Sequence, residues 1–121
     1  YRQVPSGLPS IQQSLPVLLT IAAQEEIPLT RIASVFSEKA ADMYGLKRGK
    51  IEEGYAADIV IFDKEKEFTV KAEDQLSKCG WSPYEGETLK GYIETVLVNG
   101  EVALENGLVT KDRHGQLLKF K

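Results

Sequence analysis

Apolar residues recur at helical spacing near the start of the chain. After a Pro5-Ser6-Gly7-Leu8-Pro9-Ser10 loop, Ile11, Leu15, Leu18, Leu19, Ala22 and Ala23 follow a 3.6-residue period. Ser10 stands where an N-cap is expected, and Pro16 inside the pattern predicts a kink or a late helix start. Ile27-Pro28 breaks the run. Leu29-Thr30 then opens a second expected helix, with Thr30 as its N-cap and Ile32, Ala33, Val35 and Phe36 facing inward. A third is expected from Glu38 to Tyr44, capped by Ser37 and stopped by Gly45 at the C′ position.

Past Gly45 the period becomes that of strands. Lys50-Ile51 and Ala57 to Phe62 read as the first two, with Ile59 to Phe62 apolar throughout, as in a strand covered on both faces. Between them Gly54 suits a turn position with positive φ. Asp58 is expected to turn its carboxylate back onto free N–H groups of that turn. Glu67 to Val70 alternates as a third strand, and Lys71 to Thr88 reads as a long irregular loop of the kind that is usually functional or docked. Leu89 to Val98 and Glu101 to Leu104 flank Asn99-Gly100, a strong hairpin signal. Asn106-Gly107 makes a second turn, and Leu117 to Phe120 is expected to return as a last strand.

Composition narrows the class. At 121 residues, 42% hydrophobic and 27% charged, the chain is one soluble globular domain or part of a larger one. The net charge of −3, with no basic stripe, argues against a nucleic-acid partner. The longest apolar run, Leu15 to Ala23, is interrupted by Pro16 and Thr20 and falls short of the ~20 residues of a membrane span. A single cysteine, Cys79, excludes an internal disulfide and makes the cytoplasm the expected compartment. The chain starts without Met, and its helices lack preceding strands to cover, so it reads as a piece of a longer protein.

Candidate chemistry is sparse. A catalytic zinc usually takes three protein ligands, which the one histidine, His114, and Cys79 cannot supply. No catalytic and no metal-binding residue is therefore expected here. His114 reads as an exposed turn histidine and Cys79 as a small buried or loop-packing hydrophobe, since a nucleophile would need a base and an electropositive pocket. Asp58 and Asp63 read as structural caps on opposite faces, and Glu25-Glu26 and Glu52-Glu53 as solvated surface charge. Trp81, Pro83 and Tyr84 read as a packed plug in preference to a ligand groove.

The strand-turn-strand stretch from Ile51 to Asp63 resembles the entry to the β-sandwich that flanks the barrel in the amidohydrolase superfamily. Ser82-Pro83-Tyr84-Glu85-Gly86 followed by Leu89 to Gly100 is similar to the tail shared by dihydroorotases and allantoinases. Lys78-Cys79-Gly80-Trp81 and Gly115 to Phe120 resemble one bacterial dihydroorotase group, and Pro5-Ser6-Gly7 with Leu15-Pro16 the loop and helix after the last barrel strand. Ser10, Gln12 and Ala40 depart from glycine, glutamate and proline common at those places; the glutamine is also common in allantoinases.

The resemblance implies an α/β fold: the C-terminal helices of a (β/α)₈ TIM barrel (1–48) followed by part of a composite β-sandwich (49–121, with the 71–88 loop). It implies a binuclear zinc centre in the full-length parent, bridged by a carboxylated lysine and a hydroxide, with an aspartate shuttling the proton. These residues lie outside this chain, so the fragment is expected to hold no zinc and to be inactive alone. Pro5, Ser6 and Gly7 are the expected substrate-binding residues, offering backbone groups to the ring. The expected parent is a dihydroorotase, converting dihydroorotate and water to N-carbamoyl-L-aspartate in pyrimidine biosynthesis. Allantoinase and a non-catalytic dihydroorotase-like assembly subunit are the alternatives. Expected partners are dihydroorotate, the remainder of the parent chain and, through open sheet edges and bare helix faces, a second copy.

Overall fold

The computed structural model describes residues 7–110, 115–118 and 120. A 3₁₀ turn, Ile11–Gln13, runs into helix α1, Ser14–Gln24. The late start accommodates Pro16, which falls in the first turn, where N–H groups have no intrahelical acceptor to lose. Ser10 does not cap with its side chain. Its carbonyl does the work instead, accepting from Gln13 N–H and from Ser14 Oγ, each at 3.2 Å.

Helix α2 (Leu29–Ala33), a π-helical turn (Ser34–Glu38) and helix α3 (Lys39–Met43) follow one another without a break. This corrects the expectation of two capped helices. Thr30 lies inside α2, which opens after Pro28 in extended conformation. Ser37 is not a cap: the wide π turn keeps the chain helical through it, and its Oγ donates to Gly49 O at 3.3 Å. Gly45 ends the helix as expected. Its φ of +62° lets Gly45 N–H reach Asp42 O (3.1 Å) and Leu46 N–H reach Ala41 O (2.9 Å), the paired bonds of a Schellman stop. The inward face does not materialise within this chain: Ile32 is half-buried, but Val35 and Phe36 are 53% and 47% exposed.

Lys50-Ile51 is not a strand. Ile51 is 85% exposed, and the chain there forms a turn in which Tyr55 N–H bonds Glu52 O and Gly54 takes φ +82°. Strand β1, Ile59–Thr69, joins two expected strands into one, and pairs with β2 (Thr88–Val98) in an antiparallel sheet of order β1-β2-β3-β4. Strands β3 (Glu101–Glu105) and β4 (Leu108–Val109) complete it. Both Asn-Gly turns form as expected: Asn99 and Gly100 take φ +53° and +85°, Asn106 and Gly107 +51° and +80°, as type I′ hairpins require. Ile59 to Phe62 are not covered on both faces, since Val60 and Ile61 are 42% and 48% exposed. The expected strand at Leu117 to Phe120 is absent among the described residues, where 117 and 118 are irregular and exposed.

Two bulges shape β1 and β2. Asp63 pairs Tyr92 and Glu67 pairs Lys90, so Lys64, Glu65 and Lys66 stand opposite the single residue Gly91. Asp63 holds this excursion, its Oδ1 accepting from Glu65 N–H (2.9 Å) and Lys66 N–H (3.2 Å). Helix α1 crosses β2 at the same point. A Cβ added to Gly91 would lie 2.4 Å from Leu19 Cδ1, so only glycine permits the approach. Thr20 Oγ1 sews the crossing, donating to Pro16 O (2.8 Å) and accepting Lys90 N–H (2.9 Å). The buried apolar positions are Leu19 and Ala22 of α1, Val70 and Leu89 beside and in the sheet, and Ala41 of α3, which packs against Gly49.

Candidate functional site

Two consecutive glutamines in the 3₁₀ turn that leads into α1 organise a polar cluster with the long loop. Gln12 pairs both ends of its amide with one stretch of backbone: Nε2 donates to Asp74 O and Oε1 accepts Leu76 N–H, each at 2.9 Å. Gln13 is buried, at 3% exposure. Its Nε2 donates to Gln75 Oε1 (3.0 Å) and its Oε1 accepts from Ser82 Oγ (3.4 Å), itself 5% exposed. Gln75 Nε2 passes on to Lys71 O at 2.9 Å, and Ser82 Oγ accepts Tyr84 N–H at 3.2 Å. Every buried side-chain N or O among the described residues has a partner, as buried polar groups require.

The glutamines thus grip the long loop, which the structure places much as expected, with one 3₁₀ turn at Ala72–Asp74. Its ends are tied by reciprocal bonds: Val70 N–H to Glu87 O and Gly86 N–H to Val70 O, both 2.9 Å. The Ser82-Pro83-Tyr84-Glu85-Gly86 motif supplies the closing turns, Glu85 N–H to Ser82 O (3.3 Å) and Glu87 N–H to Tyr84 O (2.9 Å). Trp81 and Tyr84 are half-buried and Pro83 is exposed.

The other candidates resolve separately. Of the expected substrate-binding residues, Pro5 and Ser6 lie outside the described residues, as does His114. Gly7 is exposed, and an added Cβ there meets nothing within 4 Å. Asp58 and Asp63 are caps, but Asp58 does not serve the Gly54 turn. It reaches across the sheet end to accept Asn99 N–H at 2.8 Å and to pair with Arg48, whose other nitrogen donates to Asn99 Oδ1 at 2.7 Å. The carboxylate goes to the hairpin because Asn99 in its left-handed conformation presents its N–H there. Glu25, Glu26, Glu52 and Glu53 are exposed, as expected.

Cys79 corrects another expectation. It is exposed, not packed, with Sγ 2.9 Å from Ser77 Oγ, and that hydrogen bond holds the thiol below its ordinary pKa. Lys50 ties the linker to Glu38 of the π turn (3.1 Å) and Asp42 of α3 (3.8 Å); the Glu38 hydrogen bond, then the Asp42 charge, raise its pKa.

No group of three or more His, Cys, Asp or Glu among the described residues could hold a metal ion. The donors among the described residues do not fit one. Among the described residues the carboxylates are committed to backbone caps, as at Asp58 and Asp63, or stand at scattered positions. No described helix is long and apolar enough to cross a membrane.

Sequence reasoning missed Gln13, Gln75 and Ser82 as a unit. It noticed Gln12 only as a departure from glutamate and Ser82 only as part of a motif. The available signal was the adjacent amide pair opening a helix, next to a Gln-containing loop.

A helix packed on a bulged antiparallel sheet, with a long loop held beside the helix start, matches known proteins. The profile of the Amidohydrolase family matches residues 9–103, and the chain belongs to that family. Among curated relatives, a dihydroorotase of Pyrococcus horikoshii is 32% identical over 94% of this chain, which covers 28% of that protein. A dihydroorotase of Clostridium acetobutylicum is 34% identical over 88% of this chain and 25% of its own length. The chain therefore spans about a quarter of the relatives it matches. Among solved structures, an L-hydantoinase (dihydropyrimidinase) from Arthrobacter aurescens superposes with a TM-score of 0.86 at 29% identity, covering 93% of this chain and 26% of that one.

Proposed function

We propose that this chain is the C-terminal part of a dihydroorotase, a hydrolase that opens the ring of dihydroorotate to N-carbamoyl-L-aspartate. The observation that carries the reading is identity of about a third to dihydroorotases across nearly the whole chain. The order of its motifs, from Leu15-Pro16 through Ser82-Pro83-Tyr84-Glu85-Gly86 to Asn99-Gly100, supports it. On this reading residues 1–48 belong to the end of a (β/α)₈ barrel and residues 49–121 to a β-sandwich completed by chain outside this one. The change from helix to strand after Gly45 agrees with that division.

The two zinc ions of such an enzyme would be held elsewhere in the intact protein, because the donors described here do not form a set. This chain's own contribution is a buttress and one edge of the substrate pocket. Pro5, Ser6 and Gly7 would meet the ring through backbone groups, glycine allowing close approach. The cytoplasm is the proposed compartment.

A second reading keeps the reaction type and changes the ring. Resemblance to the Arthrobacter hydantoinase and 30% identity to a D-hydantoinase of Ralstonia pickettii favour a five-membered cyclic diamide as substrate. Assays of the intact protein on dihydroorotate, hydantoin and allantoin separate the readings. We expect chelator-sensitive turnover greatest on dihydroorotate, and no turnover or stoichiometric zinc in residues 1–121 alone. Preference for hydantoin would favour the second reading, and absence of any ring opening would sink both.

A further inference from the structure

An antiparallel sheet with an apolar face needs a second layer over it, and here that layer is only begun. Helix α1 covers the Lys90–Gly91 end of β2, where Leu19 and Thr20 meet it. Away from that contact, Val60, Val96 and Leu104 stand in register across β1, β2 and β3. With Phe68 and Tyr92, stacked edge to face at 6.0 Å, they line a groove of about 740 Å³. None of the five is buried within this chain, and Val60 is 42% exposed. The helical arm from α2 to α3 adds Phe36, 47% exposed, to the same groove, yet makes no appreciable contact with any strand.

We propose that this groove seats an apolar segment from the rest of the polypeptide, which completes the layer that α1 begins and joins the helical arm to the sheet. This rests on the reading above that residues 1–121 are part of a longer dihydroorotase, and adds which surface the remainder covers. The chain spans about a quarter of the relatives it matches, so most of such a protein lies elsewhere and is tethered to this piece. A tethered segment docks without the loss of translational freedom that a second copy suffers. A small-molecule site aims a few free polar groups at its ligand. Here Gln12, Gln13 and Gln75, at the loop end of the groove, are already engaged with one another or with loop backbone. A charge placed against Val60, Val96 and Leu104 would lose its water without gaining a partner, so the segment is apolar.

The test uses the intact protein, with photoreactive benzoylphenylalanine in place of Phe36 and hydroxyl-radical oxidation of Tyr92 as a second readout. Irradiation should link position 36, within one chain, to a peptide outside residues 1–121. Tyr92 should oxidise about ten-fold more slowly than in the urea-unfolded protein, because close packing excludes solvent, and dilution should not change this. A link between two chains, or protection of Tyr92 that dilution abolishes, makes a second copy the occupant and overturns the proposal. A link confined to residues 1–121, or no link, as a bound small molecule would give, overturns it as well. So does oxidation of Tyr92 at the unfolded rate. Should the replacement prevent folding, oxidation of Phe36 and Tyr92 in the unaltered protein decides. Turnover of dihydroorotate with Tyr92 freely oxidised sinks the docking alone; the expected link without any ring opening sinks the functional reading alone.

Discussion

At the scale of single residues, chemistry that suggests reactivity turns out to serve geometry. Asp58, Asp63, Ser82 and Thr20 each bind backbone N–H groups that would otherwise lack an acceptor at a turn, a bulge or a helix crossing. The residues that carry the family resemblance, above all Ser82 to Gly86, close a loop and fasten it to Gln13. They therefore identify the family and say little about the ring it opens. Cys79 is the residue where sequence and structure part most clearly. A cysteine is often buried, but burial depends on neighbours across the loop that one sequence does not specify. Its hydrogen bond from Ser77 stabilises the thiolate, which is the alkylating nucleophile. Because the shift is downward, the charged form persists to lower pH than in a free thiol. The pH profile of iodoacetamide alkylation should thus have its midpoint below that of an unperturbed cysteine thiol, and Ser77→Ala should move it up. A profile unaffected by Ser77→Ala would refute this account.

At the scale of elements, local signals placed the turns and the helix stop well. Gly45, Gly54, Asn99-Gly100 and Asn106-Gly107 all adopt the positive φ that their residue types favour. These are decided within a few residues, so they are legible. Continuity was not. Ser37 suggested a new helix start, yet the chain passes through a π turn without a break. Two expected strands fuse into β1 because a bulge absorbs Lys64 to Lys66 opposite Gly91. Thr20, which interrupts an apolar run, sits there to receive Lys90 N–H from the sheet below. Gly91 offers the sharpest check on this crossing. Alanine would press on Leu19 and force a left-handed backbone onto a residue with a side chain. Gly91→Ala should cost about 3 kcal/mol in urea unfolding. A midpoint equal to that of the unaltered protein would show that α1 does not approach β2 so closely.

At the scale of the whole molecule, the chain is visibly incomplete in its burial. Ile11, Val35, Phe36, Val60 and Ile61 are exposed, and an apolar-lined groove of about 740 Å³ opens between the start of α1, Phe36 and the sheet. The outer edges of β1 and β4 are unpaired in the described sheet. Contiguous apolar surface and open edges of this kind drive association. Residues 1–121 produced alone should therefore sediment as species larger than a monomer at micromolar concentration. Co-production with the rest of the dihydroorotase proposed above should suppress that association. A single sharp monomer boundary for residues 1–121, with slow amide exchange throughout β1, would contradict this.

The sequence by itself determined the family, the order of helix and sheet, the sites of the tight turns and the scarcity of metal donors. Those follow from short-range stereochemistry and from residue types that a chain either has or lacks. Only the tertiary structure decided which carboxylate caps which turn, why Gly91 and Thr20 stand where they do, and that Gln12 and Gln13 grip a loop more than sixty positions away. Such pairings depend on register and on close approach between distant segments, which hydrophobic periodicity along a single chain does not encode.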